Sequence, residues 1–153
     1  MPKSFHRDRF FWVVAIQTAI VNFYLGGFGP AQSLLRADQG TSLTIAGLHG
    51  TAMGVASILA GWANPRIAHK YGRSKASWIG LSIFIVGLTL FVVSPPVYIT
   101  LPATLITGFG VSVVINTMLT KMSHHYGKAA EVAIPQANGI ASAGFVTGTA
   151  LIG

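Results

Sequence analysis

The chain has 153 residues, of which 52% are hydrophobic and only 8% charged, with a formal net charge of +7 and no cysteine. The missing cysteine excludes disulfides, thiolate zinc sites and cysteine nucleophiles. The positive charge does not point to nucleic acid, because the Lys and Arg residues are scattered over short segments between apolar stretches rather than gathered in one basic patch.

Five apolar stretches, at about 10–28, 43–63, 76–93, 97–118 and 132–153, are each about long enough to cross a bilayer core, which takes roughly 20 apolar residues. The expected fold is therefore an all-α, polytopic membrane protein: one bundle of five transmembrane helices filling residues 1–153. Lys and Arg are retained on the cytoplasmic side. Lys3, Arg7 and Arg9 precede the first stretch, Arg66, Lys70, Arg73 and Lys75 follow the second, and Lys121 and Lys128 follow the fourth, whereas the opposite segments hold only Arg36. A cytoplasmic amino terminus and a multi-pass place in the plasma (inner) membrane follow. Trp12, Trp62 and Trp78 fall at the inner ends, where amphipathic rings favour the headgroup region.

The first stretch is too long for a removable signal peptide and carries Gln17 and Asn22, so it is expected to stay as a helix. Its Thr18, Asn22 and Gly26 repeat at steps of four, and Gly26-Gly27-Phe28-Gly29-Pro30 is expected to end it. In the second stretch Gly50, Gly54 and Gly61, with Ser57, carry four-residue spacings that let helix backbones approach closely. Its His49 is the one titratable intramembrane candidate for proton coupling, against a hydrogen-bonded packing role. The third stretch has bulky side chains all round and no amide or charge, as expected of a peripheral helix facing lipid.

In the fourth stretch Thr104, Gly108, Ser112 and Asn116 recur at steps of four along one helical face. The fifth combines Pro135 with Asn138, Ser142, Gly144 and Gly148, the last two spaced for close packing. An unsatisfied amide in hydrocarbon costs several kcal/mol. Gln17, Asn22, Thr104, Ser112, Asn116, Asn138 and Ser142 must therefore join helices or line a cavity for a polar solute. The chain stops on an apolar helix, from which a truncated reading frame is expected.

Gly61-Trp-Ala-Asn-Pro65-Arg66-Ile-Ala-His69-Lys70-Tyr71-Gly72-Arg73-Ser74-Lys75 resembles the signature loop of the major facilitator superfamily. Lys70, Gly72, Arg73 and Lys75 match its pattern, while Pro65 replaces its first glycine and His69 its aspartate. Ile106-Thr107-Gly108-Phe109-Gly110 resembles a second family segment in which Thr104 stands for an arginine. Losing the acidic and basic partners together is electrostatically consistent, since a lone buried charge is costly. Gly144 to Gly153 resembles the glycine-rich segment of family antiporters, with Thr149 replacing its proline.

The resemblance implies most of one six-helix half of a two-half carrier, with the solute held between the halves. First and fourth helices would line the cavity, second and fifth would face the other half, and the signature loop would gate the inner side. It implies a secondary transporter working by alternating access, with export slightly favoured. Its partners would be the bilayer, a small-molecule solute and the remaining helices. No cofactor and no metal are expected: His124, His125 and Lys121 lack the further ligands or carboxylate that a hydrolase or metal site needs. The rival reading is a small glycine-rich membrane protein that acts by self-association.

Overall fold

The computed structural model describes residues 5–93 and 96–153; Lys3, part of the charge argument, lies outside them. Among the described residues the helices are α1 (Arg9–Gln39), α2 (Leu43–Tyr71), α3 (Arg73–Val93), α4 (Val97–Tyr126) and α5 (Ala130–Ile152), with a 3-10 turn at Gly127–Ala129. The caps explain the boundaries. The Asp8 side chain accepts from the Phe11 N–H and Ser42 from the Ile45 N–H, satisfying donors that a helix start leaves open. Gly40, in the left-handed region, closes α1. Gly72, at φ +82°, is the lone residue between α2 and α3.

The expected bundle of five separate transmembrane helices is corrected: among the described residues four helical segments are long and apolar enough to cross a membrane. The fourth and fifth expected spans lie within one helical run, Val97–Ile152, of 56 residues. The segment between them, which carries Lys121 and Lys128, is expected from the sequence to be a loop. Instead α4 continues to Tyr126, since Met118 and Met122 stay buried against Phe11 beyond the apolar stretch, and the 3-10 turn carries the chain directly into α5.

Two other boundaries move for the same kind of reason. The signature segment expected to be a loop is helical to Tyr71. The glycines before Pro30 do not end α1, which runs to Gln39. Proline at position 30 removes the N–H that would bond the Gly26 carbonyl. The Thr149 hydroxyl of α5 donates to that carbonyl at 3.0 Å, so the helix passes its proline without a buried orphan acceptor.

The main pairings are α3 on α4, α1 on α5 and α2 on α4. Phe11 of α1 packs with Met118 and Met122 of α4 and Ala133 and Ala137 of α5. Farther along, Val21, Tyr24 and Phe28 pack with Leu81, Phe84, Val111 and Val114. These partners make α4 antiparallel and α5 parallel to α1. Two seams depend on glycine. A Cβ on Gly148 would sit 2.0 Å from the Phe23 carbonyl oxygen, and one on Gly110 would sit 2.4 Å from the Phe84 nitrogen. Backbones are thus in direct contact across α1–α5 and α3–α4.

Candidate functional site

The polar side chains at membrane depth fall into two groups. One group is engaged in hydrogen bonds between or within helices, although Gln17 Nε2 is buried without a partner among the described residues. The Ser77 hydroxyl of α3 donates to Gln17 Oε1 at 2.7 Å, so Gln17 is buried between α1 and α3. Thr104 is buried and donates to the Thr100 carbonyl of its own helix. His49 is almost fully buried, with Nε2 2.9 Å from the Thr100 hydroxyl and Nδ1 3.3 Å from the Ala46 carbonyl. Gln39 Nε2 donates to the same hydroxyl at 3.1 Å. The Ala46 carbonyl can only accept, so Nδ1 donates to it, and both ring nitrogens are engaged.

The second group lies on a face that the chain's own helices leave partly or wholly uncovered. Ser112 and Asn116 are half-buried on α4, and the Ser112 hydroxyl meets Ser57 of α2 at 2.9 Å. Asn116 makes no side-chain hydrogen bond with the described residues, and neither do the exposed Asn138 and Ser142 of α5. Half-buried Asn22 uses its amide nitrogen on the Thr18 carbonyl. Asn138 and Ser142 share a helical stripe with Thr149, at steps of four and seven. Because Thr149 reaches Gly26, and Asn22 lies one turn from Gly26 on α1, this stripe and Asn22 sit on the same flank of the α1–α5 seam.

The expected gating residues are spread along the start of α3 and the end of α2. Pro65 and His69 are exposed within α2, Lys70 Nζ lies 5.1 Å from the Tyr71 ring centroid, Gly72 makes the reversal, and Arg73 and Lys75 open α3. The carboxylate that organises this end is Asp8, not a residue of the signature segment. Asp8 accepts from the Tyr126 hydroxyl at 2.5 Å and pairs with His125 Nε2 at 3.0 Å. The Tyr126 hydrogen bond holds its carboxyl down at about 2.

The glycines expected to pack divide in the same way. Gly144 and Gly148 press on the Ala19 and Phe23 carbonyls, whereas Gly54 and Gly61 have nothing within 4 Å of an added Cβ and Gly50 only the tip of Gln32. The α2–α4 contact is made instead by Gly108 against Met53 and Ala56, and by the Thr117 hydroxyl, which donates to Asn64 Oδ1 at 3.1 Å.

Asn64, Thr100 and Thr117 form joints that no local sequence signal marks, and Thr149, notable in the sequence only for standing in place of a family proline, forms another. Pro30 signals a freed carbonyl at Gly26, but not which side chain takes it. Among the described residues no group of three or more His, Asp or Glu is placed to hold a metal ion.

Compared with known proteins, the chain matches the family model described as Major Facilitator Superfamily over residues 3–153. No curated protein and no solved structure matches it. With nearly the whole chain covered and membrane-length helices throughout, the protein belongs to the major facilitator superfamily and is a multi-pass membrane transporter, not an enzyme.

Proposed function

We propose that this transporter moves a small solute by alternating access, with the uncovered polar face as one wall of the solute cavity. The carrying observation is that half-buried Asn116 on α4 and exposed Asn138 and Ser142 on α5 make no side-chain hydrogen bond with the described residues. Amides left bare to hydrocarbon cost several kcal/mol, so this face meets water, a solute or further protein. Asn22 and Ser112 extend it.

The second half of a two-half carrier is the proposed cover. Amides and hydroxyls without a fixed charge suit a neutral or amphipathic solute. Export is the proposed direction, on the likeness of the α5 glycine stretch. The Lys and Arg pattern supports a cytoplasmic placement for the end at which α1 begins, in the plasma (inner) membrane. Pro65, His69, Lys70, Gly72, Arg73 and Lys75 are proposed to set the inward and outward equilibrium there. His49 is proposed as a joint between α2 and α4, since both ring nitrogens are engaged.

The test is transport by the complete natural protein, measured in cells against a panel of neutral, amphipathic and highly charged solutes. Asn116→Leu is expected to lower transport of a neutral or amphipathic substrate by about tenfold, the effect of losing roughly 1.4 kcal/mol of solute interaction, with unchanged protein in the membrane. Transport of only a highly charged solute, lost in Asn116→Leu, would count against the neutral class, and unchanged transport would remove the wall assignment.

A second reading rests on the bare glycines. Gly54 and Gly61 offer α2 as a close-packing surface, and another copy of the chain could occupy it. A cross-linked homodimer formed through α2 in membranes, together with absent transport, would favour that reading.

A further inference from the structure

The end of the bundle at which α1 begins holds a cavity of about 320 Å3 lined by Phe10, Arg73, Ser74, Lys121, His124 and His125. Lys121 is the unusual member. It is only 5% exposed, yet it makes no hydrogen bond or ion pair with the described residues. Its Nζ lies 5.6 Å from the centroid of the Phe10 ring. A buried ammonium is strongly unfavourable unless it is paired, and the face of one phenyl ring offsets only part of that cost. Of the carboxylates at this end, Asp8 is already engaged by Tyr126, the Phe11 N–H and His125, and Glu131, exposed in the first turn of α5, does not line the cavity.

Beside the Phe10 ring and His125, whose Nε2 faces Asp8, the lining adds the donors Arg73, Ser74 and His124. Arg73 and Ser74 form the first turn of α3, a helix of 21 residues with no acidic residue in that turn. A helix start presents N–H groups without intrahelical partners and the positive end of the helix dipole. No carboxylate lines the cavity. An ammonium, a guanidinium, a hydroxyl, imidazoles and a helix start therefore surround one space. Donors approaching from several sides suit a tetrahedral oxyanion better than the planar fork of a single carboxylate.

We infer that this cavity binds a phosphate-type oxyanion, with Lys121 as its central cation and Arg73, Ser74 and His124 around it. The oxyanion is supplied by the headgroup of an anionic phospholipid in the adjoining leaflet or by free phosphate. Bound there, it neutralises Lys121 and ties α3 to α4 at one end of the bundle. The inference does not depend on the proposed solute path, because it is tested by binding and not by transport.

The test is thermal unfolding of the complete protein in uncharged detergent, titrated with phosphatidylglycerol, phosphatidylcholine, or potassium phosphate against chloride at matched ionic strength. A saturable rise in unfolding temperature with phosphatidylglycerol but not phosphatidylcholine is expected. A matching rise with inorganic phosphate would assign the site to the free ion as well as the headgroup.

In Lys121→Gln the half-saturating concentration should rise by about fivefold or more, the effect of one basic side chain at a membrane surface. Lys121→Arg should retain the response, and Lys128→Gln should leave it unchanged. If Lys121→Gln does not fold, Arg73→Gln carries the test, since that side chain is exposed. The inference is overturned if neither anion outdoes its control, if the Lys121 or Arg73 variant responds like the native protein, or if Lys128→Gln loses the response equally.

Discussion

Asp8 shows how much one side chain can organise at a helix start. It caps α1 through the Phe11 N–H, takes the Tyr126 hydroxyl and faces His125, so it ties the beginning of α1 to the end of α4. Its carboxyl is lowered from the usual value to about 2, first by the Tyr126 hydrogen bond. A depressed carboxyl stabilises the fold fully above its unfolded pKa, near 3.8, and loses that contribution as pH falls toward 2. Asp8→Asn keeps a capping oxygen but removes the charge. It should lower the unfolding temperature at about pH 5 to 7, with the difference shrinking as pH falls through about 2 and vanishing below it. Both ion-pair side chains are 43% exposed, so the effect is expected to be small. Its partners, 117 and 118 positions away, carry no local signal in the sequence.

The α1–α5 seam is the element on which the bundle depends most visibly. A Cβ on Gly26 would fall 2.0 Å from the Phe145 carbonyl oxygen, and Gly144 and Gly148 meet α1 backbone in return. Gly148→Val therefore forces two backbones apart rather than displacing a flexible side chain. It should destabilise the protein by about 1–3 kcal/mol or more, read as a fall in unfolding temperature and earlier proteolysis of α5. Four-residue glycine spacing made Gly144 and Gly148 legible as packing positions. The same spacing in α2 was no guide to a partner within the chain, because glycine permits a close neighbour without supplying one. Pro30 shows the opposite limit. Locally it reads as a helix stop, but Thr149, 119 positions away, meets the carbonyl it frees.

At the scale of the whole molecule, the bare α2 glycines and the α4–α5 polar stripe are surfaces that this chain leaves open. Gly54→Leu places its side chain in unoccupied space, so the fold of these helices should persist with an unfolding temperature close to the native one. Transport by the complete protein should nonetheless fall by about tenfold or more, as a 1.4 kcal/mol penalty at a close helix contact requires. Equal transport with intact folding would show that no helix packs there.

The sequence by itself determined the membrane class, the superfamily resemblance, the alternation of basic segments and the presence of polar faces. Each of these follows from local composition and period, which the bilayer thickness and the helix repeat translate directly into structure. Only the tertiary structure decided that α4 runs on to Tyr126 and passes into α5 through a 3-10 turn with no intervening loop, and that α1 continues past its proline. It also separated Gln17, Thr104 and His49, engaged in joints between or within helices, from Asn116, Asn138 and Ser142, whose side chains make no hydrogen bond with the described residues. The physical reason is common to all of these outcomes. Whether a polar or proline-freed group is satisfied depends on a donor or acceptor brought from a distant part of the chain, and helical period reports the direction a residue faces but not what meets it.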